Sequence, residues 1–225
     1  MRVEVLKSML DKEGLIGGID EAGRGPVVGP MVVAGVLMEK DELRTLVELG
    51  VRDSKILSRR KRDELYDLII STSCGAVALY VEPQTIDQWV SKPGLNALEA
   101  WCVAILIRHM LHADIIIVDA PSSAESFTTL LRRYLKGVAP KIIAKPKADR
   151  DEPVVAAASI IAKVLRDREI ERIKREVGID FGSGYPSDPK TIEALKQLMT
   201  IKPSVVRRRW RTAKKYAYRR LDELL

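Results

Sequence analysis

Four acidic residues have the types and spacing that could do chemistry: Asp20 and Glu21 in GGIDEAGRGP, Asp119 at the end of IIIVD, and Asp149 in KADRDEP. Adjacent side chains on a regular strand point to opposite faces, so Asp20 and Glu21 reach one site only if the chain leaves the pleat there. Ala22 and Gly23 make that departure sterically cheap. Taken alone, the pair reads better as a solvated turn, which charged pairs before glycine usually mark. Asp119 closes a continuous apolar run, where an unpaired carboxylate is costly to bury, at the carboxyl end of a strand, where open sheets bind ligands. It could instead cap a helix, but Ser122 or Ser123 can fill that role. Asp151 and Glu152 directly precede Pro153 and are accounted for by a helix dipole, which leaves Asp149 available as a ligand.

Four carboxylates supply about −4 against the +4 of two hard divalent ions, and a scissile phosphate adds its own negative charge. That balance suits phosphoryl transfer to water with no protein nucleophile. Other chemistries find little support. His109 and His112 both fall near the end of one helix, as a dipole partner and a surface residue. Cys74 and Cys102 lack metal-ligand spacing and read as reduced core residues. GRGPVVGP departs from GxxxxGK[ST], and its prolines suit a turn better than a phosphate-cradling helix start, which argues against a nucleoside triphosphatase. Gly23 and Gly25 leave backbone amides accessible around Arg24, as a sugar-phosphate contact needs, though a tight strand-to-strand turn explains them equally.

The elements that must hold these residues follow from periodicity. Short apolar runs predict strands over Leu15 to Asp20, Met31 to Met38, Gly75 to Val81, Ile115 to Val118 and Lys141 to Ala144. Helices are predicted from Ser58 to Ile70 with Ser58 as cap, from a cap at Asn96 through Leu106, from Ser123 to Lys136, from Pro153 to about Val177, near Pro189 to Met199, and from about Val205 to Leu224. Three strands in succession followed by alternation predict an α/β fold, a mixed five-stranded sheet flanked by helices. Residues 1–180 form the expected catalytic domain and 181–225 a small C-terminal loop and helical appendage.

Bulk properties narrow the partner. The 225 residues carry a net charge of +7, and nine Lys or Arg with no acid fall between Lys202 and Arg220, which exceeds the whole net charge. That asymmetry predicts a nucleic-acid face, with Arg207, Arg208, Arg209, Arg211, Lys214 and Lys215 on phosphates. No apolar run approaches the roughly 20 residues of a membrane span and the N-terminus is too charged for a signal peptide, so a cytoplasmic monomer with no membrane partner is expected. One Asn and three Gln among abundant Arg, Lys and Glu point to a thermophilic source.

GIDEAGRGPVVGPMVVA, DSK at Asp53 to Lys55, VDAP, KAD, AAASIIAKVLRD and GSGYPSDPKT occur in the order that characterises the ribonuclease HII family, which the chain closely resembles from Gly17 to Thr191. The resemblance implies a ribonuclease H-like fold and Mg²⁺ or Mn²⁺ as cofactor, two ions in the active complex, held by Asp20, Glu21, Asp119 and Asp149. It implies an RNA/DNA hybrid as substrate, and also duplex DNA containing ribonucleotides, cut on their 5′ side to leave a 3′ hydroxyl and a 5′ phosphate. Gly23, Arg24 and Gly25 fall on the family's Gly-Arg-Gly element and Tyr185 on its junction-reading tyrosine. Lys55, Asn96, Ser159 and Lys163 match polar positions expected near phosphates or behind the metal ligands. An aspartate at 149, where the sister ribonuclease HIII typically has glutamate, favours type HII. The tail KKYAYRRLDELL does not resemble a sliding-clamp peptide, so the sequence does not support a clamp partner. The rival readings are a nucleic-acid-binding protein that does not cut and another nuclease of the same superfold, such as a junction resolvase or a transposase-type enzyme. All four acids being present argues against the first. The GRG and GSGYP segments argue against the second, because reading a 2′ hydroxyl has no purpose on DNA alone.

Overall fold

The structure is a computed structural model that describes residues 1–51, 57–137 and 140–222, the last six of these as backbone only. Its strands are β1 (Arg2–Lys7), β2 (Ile16–Ala22), β3 (Met31–Met38), β4 (Gly75–Val81), β5 (Ile115–Asp119) and β6 (Lys141–Lys145). The helices are α1 (Lys40–Glu48), α2 (Arg59–Thr72), α3 (Pro83–Ser91), α4 (Leu95–His109), α5 (Ala124–Tyr134), α6 (Ala148–Asp151), α7 (Pro153–Val177), α8 (Pro189–Ile201) and α9 (Arg211–Asp222). One mixed sheet runs β1-β4-β3-β2-β5-β6. The first four strands pair antiparallel, and β2, β5 and β6 pair parallel. β2 is therefore where the meander meets the parallel half, the kind of switch point at which open sheets hold ligands.

Both faces are covered. Leu15, Ile19, Val33, Leu37, Val77 and Ile116 pack under α4 and α5, while Val32, Ala34, Val36, Ala76 and Ala78 pack under α1, α2 and α7. Helix α7 lies very close to β2. A Cβ on Gly18 would fall 2.2 Å from the Val154 carbonyl oxygen, so only glycine lets the helix sit there. A third cluster joins Val27 and Val28 of the β2–β3 loop to Ile170 and Ile173 of α7 and to Phe181, Leu195, Leu198, Val205, Val206 and Ala213.

The sheet has six strands where periodicity predicts five. β1 is an edge strand whose RVEVLK alternates charged residues with Val3 and Val5, both exposed, so it lacks the short apolar run that the other five carry in sequence. Three short helices, α1, α3 and α6, also lie outside the predicted set. The predicted helices α2, α5, α7 and α8 form close to their expected bounds, with Ser58 accepting from Lys61 N and Ser123 from Ser126 N as caps. The cap of α4 is Gly94 rather than Asn96. Gly94 takes φ 104 directly after the Lys92–Pro93 bond, and the helix starts at Leu95 with Asn96 in its first turn. The last helix begins at Arg211, because Val206 is held extended in a β-bridge with Val28, after a single 3-10 turn at Pro203–Val205 and before a turn at 208–210.

Candidate active site

The parallel register Ile16↔Ile115 through Ile19↔Val118 brings Asp20 level with Asp119, the last residue of β5. β2 continues to Ala22 against β3 alone, so its β5 side is an open edge beyond that point. The chain does not leave the pleat at Asp20 and Glu21, contrary to the expectation from strand geometry. Asp20 pairs with Ala34, which faces α7, and Glu21 with Val33, which faces α4. The two side chains come from opposite faces and meet around the end of β5. The Glu21 N–H donates to Asp20 Oδ1 at 2.7 Å, which turns the Asp20 carboxylate toward that edge.

One carboxylate oxygen each from Asp20, Glu21 and Asp119 lie within 4.8 Å of one another. Asp119 Oδ1 accepts from Ala148 N at 2.6 Å, in a turn made possible by the left-handed backbone of Lys147 (φ 61). That hydrogen bond ties the loop after β6 to the end of β5 and puts buried Asp149 in the lining of the same cleft. The cleft, of about 430 Å³, is also lined by Gly23, Arg24, Gly25, Arg62, Lys163, Arg166, Asp167 and Tyr185.

Burial dominates the electrostatics. Desolvation, reinforced by Glu21, holds Asp20 well above the usual carboxylate range, against the nearby Lys163 ammonium and a hydrogen bond from Ser159. Glu21 is pushed up to about 8 by burial and then by the neighbouring charges of Glu99 and Asp119. A set of desolvated oxygen donors that repel one another is what a hard divalent cation relieves, so the residues present fit Mg²⁺ or Mn²⁺.

Ser159 and Lys163 stand on the α7 face behind Asp20, with the Lys163 ammonium donating to Ser159 Oγ. Arg24 points inward: its guanidinium donates to Glu99 and to Asn96 Oδ1, so Asn96 sits beneath the Gly-Arg-Gly loop as its support. Tyr185 is 37% exposed, and a Cβ on Gly25 would lie 3.6 Å from its ring, so the loop and the tyrosine form one wall of the cleft. Lys55 lies outside the described residues. Sequence reasoning missed Glu99, which is buried on α4 with its pKa pushed up to about 8 by desolvation against the pull of Arg24. It also missed Arg62, Arg166 and Asp167, which join across the cleft through Arg62 Nη2 to Asp167 Oδ2 at 3.1 Å and Arg166 Nη2 to the Ser183 carbonyl at 3.0 Å. A signal was available: Ser159, Lys163, Arg166 and Asp167 recur at helical spacing on one face.

The basic C-terminal segment divides. Arg208, Arg209, Arg211, Lys214 and Lys215 are exposed, but Arg207 is fully buried and donates to the carbonyls of Gly23, Arg24 and Gly29, so it is not available to a phosphate. A charge count along the sequence cannot register that difference. No helix among the described residues is long and apolar enough to cross a membrane.

Comparison with known proteins gives a consistent set. A family profile described as Ribonuclease HII matches residues 17–213. A ribonuclease HII of Nanoarchaeum equitans is 46% identical over 195 residues, covering 86% of this chain and 92% of its own. Among solved structures, the ribonuclease H2 from Pyrococcus horikoshii OT3 superposes with a TM-score of 0.82 at 39% identity, covering 91% of this chain and 98% of its own. The structure of a PCNA:RNase HII complex from Archaeoglobus fulgidus matches with a TM-score of 0.76 at 44% identity, covering 88% of this chain and 95% of the other.

Proposed function

The chain belongs to the ribonuclease HII family, metal-dependent endonucleases of RNA/DNA hybrids, and from that premise we propose that it also cuts duplex DNA on the 5′ side of a single embedded ribonucleotide. The observation that carries this reading is the wall formed by Gly25 against the Tyr185 ring beside the acidic cluster. A backbone loop suits contact with a ribose hydroxyl, and an aromatic ring suits packing on a deoxyribose whose sugar lacks one. Two opposite sugar tests placed side by side define an RNA-to-DNA junction.

Asp20, Glu21, Asp119 and Asp149 are assigned as the residues that hold two Mg²⁺ or Mn²⁺ ions. The chemistry such cations supply is neutralisation of charge around a phosphate under attack by water. The chain's own contribution is placement. The ends of β2 and β5 fix the acids, Ser159 and Lys163 orient Asp20, and the Gly-Arg-Gly loop holds the sugar so that the phosphate on its 5′ side lies against them. Residues 1–180 act as the catalytic domain and 181–225 as an appendage that supplies Tyr185 and an exposed basic face for the duplex. The two buried, unpaired thiols Cys74 and Cys102 fit a reducing compartment, which supports a cytoplasmic location.

The test is cleavage, with Mg²⁺ or Mn²⁺, of a labelled duplex bearing one ribonucleotide, beside a continuous hybrid. The wild type is expected to cut both and leave a 3′ hydroxyl, and Asp119→Asn to lose orders of magnitude on both. Tyr185→Ala should lose more on the single-ribonucleotide duplex than on the hybrid, and Tyr185→Phe, which keeps the ring, should lose less. Equal losses on the two substrates would remove Tyr185 from junction reading.

A further inference from the structure

Arg207 is among the largest fully buried side chains of the described residues, and among them no carboxylate accepts a hydrogen bond from its guanidinium. It donates instead to three backbone carbonyls of one loop: Nη2 to Gly23 O at 2.5 Å, Nη1 to Arg24 O at 2.9 Å and Nε to Gly29 O at 3.1 Å. Trp210, whose ring centroid is 5.1 Å from the Arg207 guanidinium carbon, adds an Nε1–H bond to Gly25 O at 3.2 Å. The carbonyls of Gly23, Arg24 and Gly25 are thus all drawn to one side by a segment about 180 residues further along the chain. A buried cation with no carboxylate in hydrogen-bond contact is expensive, and desolvation, then nearby Arg166, pushes Arg207 down to about 9 against the weaker pull of Tyr185 and Asp87. Packing alone would be met more cheaply by an apolar side chain.

The consequence lies on the other side of the loop. In a trans peptide the N–H points opposite to the C=O of the same peptide plane. Fixing Gly23 O and Arg24 O on Arg207 therefore turns the N–H groups of Arg24 and Gly25 away from it, and both residues line the cleft. Among the described residues no acceptor approaches either N–H. The Arg24 guanidinium is engaged by Glu99 and Asn96, so the loop offers the cleft its backbone.

We propose that Arg207, assisted by Trp210, is the positioning residue for ribose recognition: it gathers the carbonyls of the Gly23–Gly25 loop so that the amides of Arg24 and Gly25 present paired donors to a ribose 2′ oxygen. The inference rests on the reading of the site as one that recognises a ribonucleotide, and it adds the residue that makes the recognition geometry.

The experiment measures binding in an Asp119→Asn background, so that substrate stays intact, to a duplex with one ribonucleotide and to the same duplex in DNA alone, with Mg²⁺ and across a salt series. The ratio of the two Kd values isolates the 2′ hydroxyl, because unfolding or a weaker hold on the phosphates affects both complexes alike. Arg207→Lys, which keeps the charge but not the three-way geometry, is expected to lower that ratio by about tenfold or more, the worth of a well-placed hydrogen bond in a closed site. Its salt slope should not change. Trp210→Phe removes one donor and leaves an aromatic ring in its place, so it should fold and lower the ratio by about threefold. A ratio unchanged in Trp210→Phe and in a folded Arg207→Lys overturns the inference. So does an equal loss on both duplexes with a smaller salt slope, which would make Arg207 a phosphate ligand. A parent protein with no preference for the ribonucleotide overturns the reading of the site itself and this inference with it.

Discussion

Glu21 and Glu99 illustrate what burial does to single residues at this site. Both are held near pH 8 when folded, against an ordinary carboxylate value of 4.5. Between those values the folded protein keeps protons that the unfolded chain releases, so stability falls as pH rises. The contribution is fully present below about pH 4.5 and is lost progressively up to about pH 8. Metal-free protein should therefore melt at a lower temperature at pH 8 than at pH 5.5, and each kcal/mol lost should lower Tm by roughly 2–4 °C for a chain of this size. Glu21→Gln removes one of the two groups and should flatten the profile, and added Mg²⁺ should stabilise the wild type more at pH 8 than at pH 5.5. Calorimetric scans across that range check it. A flat metal-free profile would mean that both carboxylates stay charged in the fold.

The C-terminal region carries both packing and exposed charge, which a single truncation would confound. Val205, Val206 and Ala213 belong to the third core cluster, and Arg207 and Trp210 hold the β2–β3 loop, so deletion from residue 203 onward removes structure as well as charge. Arg211, Lys214 and Lys215 are exposed. Replacing those three with alanine should leave Tm nearly unchanged while weakening hybrid binding. The slope of log K against log salt should flatten by about 0.7–0.9 for each phosphate that the variant no longer neutralises. Unchanged affinity and slope would show that this face of α9 does not meet the duplex.

Over the whole molecule, ion pairs join elements far apart in sequence. Arg59 on α2 pairs with Glu171 on α7, Glu171 with Lys174, Lys174 with Asp180, and Asp180 with Lys190 on α8. Arg62–Asp167 and Arg168–Asp63 join α2 and α7 again. Isolated surface pairs contribute little, but linked networks gain weight at high temperature because the hydration of charges becomes less favourable. With one Asn and three Gln in 225 residues, the composition points the same way. The expected Tm lies above the ordinary mesophile range of about 45–65 °C, and more of that excess should be lost in high salt than a lone pair would account for. A melting temperature inside that range would count against a thermophilic origin.

The sequence by itself determined most elements and the composition of the site. Five strands and the long helix after Pro153 were legible because short apolar runs and helical spacing are local signals. Asp119 was legible as a candidate because it ends an apolar run, whereas Asp20 and Glu21, which alone read as a solvated turn before glycine, became candidates through Asp119 and the family's motifs. Tertiary structure decided what depends on neighbours distant in the chain. The register of β2 on β5 lets Asp20 and Glu21 meet from opposite faces without breaking the pleat, a possibility that only the early end of β5 creates. Long-range packing also separates Arg207 from Arg208: adjacent residues of one type, one fully buried against three carbonyls and the other exposed. Local patterns record which residues can bury and which can turn. They do not record which carbonyl a guanidinium will find about 180 residues away, because that is set when the sheet, α7 and the C-terminal segment close on one another.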